Sequence, residues 1–394
     1  MDFFLIKSSD ELKALIEKIE LAPRLALDTE ADSLHTYYEK ICLIQLSCDG
    51  AHYIIDPLAG YNLEEFLKIL SEKKLIFHSA DYDLRMMRST FGFEPKGKIF
   101  DTLLAAQILG YKHFSLSALV ERFFKVTLDK VKRKSNWARR PLSIQQLQYA
   151  SEDTRFLMPL ADILSAELER LGRSEWHWES CERAVAAAAS GPEAPDLDEI
   201  WRIKGSGLLE QRQLPYLYYL WHWREIEARM VDRPPFKIMG NQQLIQLVHW
   251  AANNPGAPLS AGPRLPRNFF GARLDALKEA IAKAAQMPPS DWPQVRRGER
   301  PPVWEPDCRP LIKSLMIERH RSARALGIEP SFLAPRSALV NIARNRPQTL
   351  EEIIQFSGLL RWQATIIEPG VRRCLRRWEK KQKKDFSHIT CQMT

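Results

Sequence analysis

The stretch LALDTEADSLHTYYEKICLIQLS (25–47) decides the fold. An apolar run over 24–30 breaks off in a polar loop and is answered by a second run over 40–47, which reads as two neighbouring strands joined by a hairpin loop. Because side chains alternate along a strand, Asp28 and Glu30 leave the same face of the first one. Two carboxylates side by side on an apolar strand repel each other and are costly unless a cation or another partner neutralises them. Working outward, FFLI (3–6) and HYIID (52–56) are further short β-prone runs, LEEFLKIL (63–70) has helical spacing, and LIFHSA (75–80) returns to a strand. Early strands in succession, then β–α alternation, predict a mixed sheet flanked by helices.

Two later segments carry acids that the sheet can use. In LIFHSADYDLRMM, Asp83 lies at the start of a helix that follows a strand, where a carboxylate also suits the helix N-terminus; Asp81 takes that second reading. His78, at the strand end, reads as a packed or hydrogen-bonded histidine. In LQYASEDTRFLMPL, Tyr149 and Asp153 stand at i and i+4 of a helix, so phenol and carboxylate share one face. Asp101 reads as the N-cap of DTLLAAQILG, and Gln45 as a strand residue packed beside the acids. A strand supplying two carboxylates, a helix start supplying one, and a later helix supplying a fourth beside a tyrosine suit a pair of hard divalent ions, with room for phosphate and water.

The chain has 394 residues, enough for two or three domains. It carries 57 Lys and Arg against 49 Asp and Glu, a net charge of +8, which is compatible with a polyanionic partner. No stretch approaches the ~18 unbroken apolar residues of a membrane span. MDFFLIKSSDELK is too quickly charged for a signal peptide, and six scattered cysteines without a CxxC point to a reducing, cytoplasmic setting. The first α/β unit is expected over 1–175, followed by a helix end and linker over 176–209. Helical units follow at 210–286 and 308–380, separated by a segment at 287–307 with six prolines, and a polar tail runs from 381 to 394. The two helical units look like copies of one domain. Both run through an apolar helix with an Arg near a Glu, a Pro-Phe or Pro-x-Phe turn, a second helix, and a closing Asn-Pro or Arg-Pro.

Taken in order, DTE (28–30), TYYEKICLIQL (36–46), HSADYD (78–83), FDTLLAAQILG (100–110), NWARRPL (136–142) and YASEDTRFLMPL (149–160) resemble the DEDD superfamily of 3′→5′ exonucleases, in the subclass with Tyr in its third motif. Within it the chain is similar to the ribonuclease D family, and the helical units resemble HRDC domains, of which that family carries two. The resemblance implies a ribonuclease H-like catalytic domain and a metal-dependent exoribonuclease. Such an enzyme trims RNA 3′ ends, matures transfer-RNA precursors and releases nucleoside 5′-monophosphates. It implies two divalent ions, Mg²⁺ or Mn²⁺. Asp28 would bridge both, Glu30 and Asp153 would complete the first, and Asp83 would hold the second. Tyr149 would orient the attacking water, a role that suits a phenol of unperturbed pKa ~10 better than general base does.

Substrate contacts are expected from Thr29, from His35, Tyr37 and Tyr38 on the hairpin loop, where an aromatic ring can stack on a base, and from Lys134 and Arg140 in KVKRKSNWARR. A DNA exonuclease and a non-catalytic nucleic-acid-binding platform stay open as alternatives; the presence of all four acids and the tyrosine favours the enzyme. A monomer acting on RNA with single-stranded 3′ ends is expected. Its helical units would be tethered on flexible Pro-rich connections.

Overall fold

The computed structural model describes residues 3–128, 135–191, 196–267, 269–294 and 308–391. Leu25, Leu27 and Thr29 point to one side of a strand, and Ala26, Asp28 and Glu30 to the other. This strand, β2 (Arg24–Ala31), runs through the middle of a six-stranded sheet. With β1 (Phe4–Ile6), β3 (Ile41–Cys48), β4 (Ala51–Ile55), β5 (Lys74–Phe77) and β6 (Ile99–Asp101), the strand order is β1-β4-β3-β2-β5-β6. The β4–β3 and β3–β2 ladders are antiparallel, and the other three are parallel. The expected mixed sheet is therefore present.

Helices cover both faces. On one side α1 (Ser9–Leu21), α2 (Glu64–Glu72) and α3 (Ala80–Phe91) pack on Leu25, Leu27, Ile44 and Leu46. On the other, α4 (Thr102–Leu109) and α7 (Leu157–Arg170) bury Ala26 and Ile76, while α6 (Ile144–Arg155) lies over β3, β4 and β2. The small α5 (Leu116–Phe124) sits against α7. Helix α8 (Ser174–Ser190) packs on α3 and β6, so residues 176–190, expected as a helix end and linker, form a helix seated on the nuclease.

The two helical units share more than their sequence pattern. The first has α9 (Leu214–Met230), α10 (Pro235–Ile238), α11 (Asn241–Asn253) and α12 (Ala272–Gln286). The second has α13 (Arg309–Leu326), α14 (Pro330–Leu333), α15 (Arg336–Asn345), α16 (Leu350–Ser357) and α17 (Arg361–Cys391). Arg224 in α9 is buried and donates to the carbonyl of Met239, just past α10. Arg319 in α13 is buried and donates to the carbonyl of Ala334, just past α14, at the same offset of fifteen residues. A guanidinium closing the same short helix in both units is the physical content of the repeat.

Neither unit hangs on a tether. The second sits on the nuclease through Trp176 and Trp362, whose rings stack 5.0 Å apart, 9° from parallel. Glu179 accepts the backbone N–H groups of Arg361 and Trp362 at the start of α17, at 2.6 and 3.2 Å. Arg173 is buried between the units and donates to the carbonyls of Ile108 and Leu326 at 2.7 and 2.8 Å. Gly110 shows how close the backbones come: a Cβ there would lie 2.0 Å from the Gly327 carbonyl oxygen. The first unit clasps the hairpin loop after β2. The expectation of flexibly tethered units is thus corrected to docked ones. Its sequence basis was the proline-rich 287–307 segment, most of which lies outside the described residues.

Candidate active site

On β2 the alternation places Asp28 and Glu30 on the α6 side of the sheet, and Asp153 of α6 comes down to meet them. Each of the three half-buried carboxylates offers an oxygen, and these oxygens all lie within 4.8 Å of one another. The set fits a hard divalent ion, which takes oxygen ligands of this kind. Tyr149, one helical turn before Asp153, packs over the buried Trp137, with ring centroids 6.0 Å apart.

Asp83 arrives from the other side. β5 pairs with β2 only at Arg24, Leu25 and Ala26, then ends at Phe77. Farther along, the β2 backbone has lost that neighbour, and Asp83 in the first turn of α3 takes its place. Its Oδ1 accepts both the backbone N–H of Thr29, at 3.0 Å, and the Thr29 hydroxyl, at 2.6 Å. Burial pushes the Asp83 carboxyl up to about 7, against the opposing pull of these two bonds. The structure thus brings three of the four expected acids into one cluster and holds the fourth across the strand on Thr29. Thr29 itself, expected beside the terminal nucleotide, is buried and committed to Asp83 through both its donors.

The turn that launches α3 is under strain. Ser79 has a φ of 72°, a left-handed conformation that a residue with a Cβ adopts at a cost. Asp101 holds it there: its carboxylate accepts from Ser79 N (3.0 Å) and Ala80 N (2.8 Å) while capping α4 through Leu103 N and Leu104 N. The N-cap reading of Asp101 is correct and too modest. One buried carboxylate fixes two helix starts, one of which carries Asp83. His78 is hydrogen-bonded to Thr102 at 2.9 Å, and burial lowers its imidazole to about 4, so it is a neutral packed group.

The expected substrate contacts fare differently. Tyr37 and Tyr38 donate their backbone N–H groups to Asp232 of the first helical unit, at 2.9 and 3.2 Å. The Tyr37 hydroxyl donates to Glu225 and accepts from Arg229, and His35 meets Lys237 at 3.2 Å. His35 and Tyr37 are therefore interface residues, and no local signal in the loop could have named partners nearly two hundred positions away. Tyr38 stays exposed, its ring edge-on to that of Tyr37. Lys134 lies outside the described residues.

Arg140, expected as a phosphate contact, is engaged inside the nuclease. Its guanidinium forks onto Asp56 at 2.7 and 2.6 Å and donates to the carbonyls of Cys42, Trp137 and Arg139, which uses every N–H it has. Asp56 is almost fully buried in this pair, so Arg140→Ala is expected to cost roughly 3 kcal/mol of stability, the lower end for stranding a buried charge because Arg140 is itself partly exposed. Urea unfolding checks the size. RNA affinity of the folded variant should match the parent, and a selective loss of affinity at unchanged stability would restore the phosphate role.

Comparisons with known proteins bear on the whole chain. A 3′-5′ exonuclease family model matches residues 3–169, and an HRDC domain model matches twice, at 213–256 and 309–366. Ribonuclease D of Xanthomonas oryzae is 32% identical over 358 residues, covering 88% of this chain and 92% of that one. Ribonuclease D of Pseudomonas paraeruginosa is 30% identical over 320 residues, covering 80% and 83%. Among solved structures, a protein from Bifidobacterium adolescentis superposes with a TM-score of 0.80 at 22% identity, covering 94% of this chain and 96% of that one. Escherichia coli RNase D superposes with a TM-score of 0.70 at 24% identity, covering 96% and 100%. The structural likenesses show a shared fold, and the sequence relatives together with the two matched domain types show the lineage: the chain belongs to the ribonuclease D family of 3′→5′ exoribonucleases.

Proposed function

We propose that this protein trims RNA 3′ ends by metal-dependent phosphodiester hydrolysis at the acidic cluster, releasing nucleoside 5′-monophosphates. Transfer-RNA precursors and other RNAs with single-stranded 3′ ends are its substrates, and it acts as a monomer. The observation that carries this reading is the convergence of Asp28, Glu30 and Asp153 oxygens, from a strand and a helix far apart in sequence, within 4.8 Å. These three residues would hold one Mg²⁺ or Mn²⁺, and Asp83 with Asp28 a second. When bound, such ions supply Lewis acidity to the attacking water and to the leaving 3′ oxygen.

The chain's own residues do the rest. Tyr149, one helical turn before Asp153, would orient the nucleophile by hydrogen bond, with Trp137 packed against its ring. Thr29 holds Asp83 in place from the neighbouring strand. Asp101 holds the Ser79–Ala80 turn from which Asp83 projects. Tyr38, exposed on the loop that follows Glu30, offers a ring to a terminal base.

The test uses 5′-labelled RNA and DNA oligomers of matched sequence, with and without Mg²⁺ or Mn²⁺. A ladder shortening from the 3′ end, metal-dependent and faster on RNA, is expected, because only RNA offers a 2′-hydroxyl. Internal cuts, or equal rates on both polymers, would overturn it. Tyr149→Phe should lower turnover by about 10–100-fold, since it removes one hydrogen bond and no metal ligand. A Mn²⁺ titration of the same variant should match the parent; loss of metal binding would show that the phenol has been given the wrong role.

A further inference from the structure

Gln45 is the residue of β3 directly opposite Asp28 in the antiparallel ladder. Side chains facing each other across such a pair leave the same side of the sheet, with Cβ atoms about 4.5–5.5 Å apart, within reach of a carboxamide. Gln45 therefore lies on the α6 side, next to Asp28, and it is 0% exposed. Among the described residues, neither its Nε2 nor its Oε1 has a hydrogen-bond partner.

Its neighbour on the same face shows the contrast. Ser47, two residues along, bonds both His52 and Thr154 at 2.7 Å. Burying a carboxamide without partners destabilises a fold, and a hydrocarbon side chain of similar volume at position 45 would avoid that cost. A carboxamide buried without a protein partner, directly across the ladder from Asp28, has its donor free to serve that carboxylate.

We propose that Gln45 is a positioning residue: its amide N–H donates to the Asp28 carboxylate in the cation-loaded protein and fixes the orientation in which Asp28 presents its oxygens. This rests on the metal-site reading of Asp28, Glu30 and Asp153. Hydrogen bonds from behind a ligand orient it and raise affinity for the ion, and their loss weakens metal binding by about 10–100-fold.

The experiment measures Mn²⁺ binding calorimetrically, without RNA, on the full-length parent and on Gln45→Leu and Gln45→Met. The melting temperature of each metal-free protein is recorded alongside. Both variants are expected to melt at or above the parent's temperature, because an unmatched buried amide is gone, and to bind Mn²⁺ about 10–100-fold more weakly. Affinities within about threefold of the parent would overturn the proposal. So would a lowered melting temperature in both variants, which would make Gln45 an ordinary packing group. Failure of the parent itself to bind Mn²⁺ would instead overturn the metal-site reading, so the two failures are distinguishable.

Discussion

Asp28→Asn is expected to abolish trimming, by about 10³-fold or more, while RNA affinity stays near that of the parent. The amide keeps the shape of the side chain and loses the charge with which Asp28, beside Glu30 and Asp153, would hold a cation. A bound ion supplies several kcal/mol of charge stabilisation in the transition state, and every ~1.4 kcal/mol lost is tenfold in rate. Binding of the RNA chain away from the scissile bond draws on other surfaces and should persist. Single-turnover rates at saturating Mg²⁺, with filter binding of the same RNA, separate the two. Activity within tenfold of the parent would end the assignment of Asp28 to the ion.

The second large effect lies far from the carboxylates. Trp362→Ala should destabilise the C-terminal helical unit by about 3–5 kcal/mol, the usual cost of emptying a large aromatic site. Trp362 is 5% exposed, packs in the core of its own unit, stacks on Trp176, and donates its indole N–H to Ser180 at 3.3 Å. Truncation to Ala thus opens the unit's core and its seat on α8 together. Because a chain with several domains need not unfold in one step, hydrogen exchange resolved by segment is the right measurement. Early opening of α13–α17 with α8 following is the expected pattern, and a change below about 1 kcal/mol would show that this seat carries little. The same contacts imply that a chain ending near Gly191 would leave Trp176 and Tyr37 uncovered.

The sheet and three of the acids were legible because each rests on a short period. Asp28 and Glu30 follow the alternation of a strand, and Tyr149 and Asp153 the turn of a helix. Asp83 was expected as a site acid, and its pairing with Thr29 was not legible. That pairing depends on β5 stopping at Phe77, which the run LIFHSA does not announce. Arg140 and Tyr37 were misread for one reason: a basic run and a loop aromatic look available until a distant Asp56 or Asp232 occupies them. Helix α1 went unnoticed although Ser8 and Glu11 form a capping box, a local signal that was there to be used. Strand β6 has only three residues, too few for any periodicity to show.

Helix α8 is constrained on two sides at once. His177 hydrogen-bonds the carbonyl of Asp101 at 2.9 Å, beneath the turn that launches α3. Trp176, Glu179 and Ser180 meanwhile hold the C-terminal unit. Each helical residue advances the face by about 100°. One residue gained or lost between Trp176 and Glu179 would rotate Trp176 by about 100° relative to Glu179 and Ser180, so the contacts to the C-terminal unit could not all be kept. This short segment therefore works as a phasing gauge between nuclease and C-terminal unit, tolerant of substitution on its outer face and intolerant of any change in length.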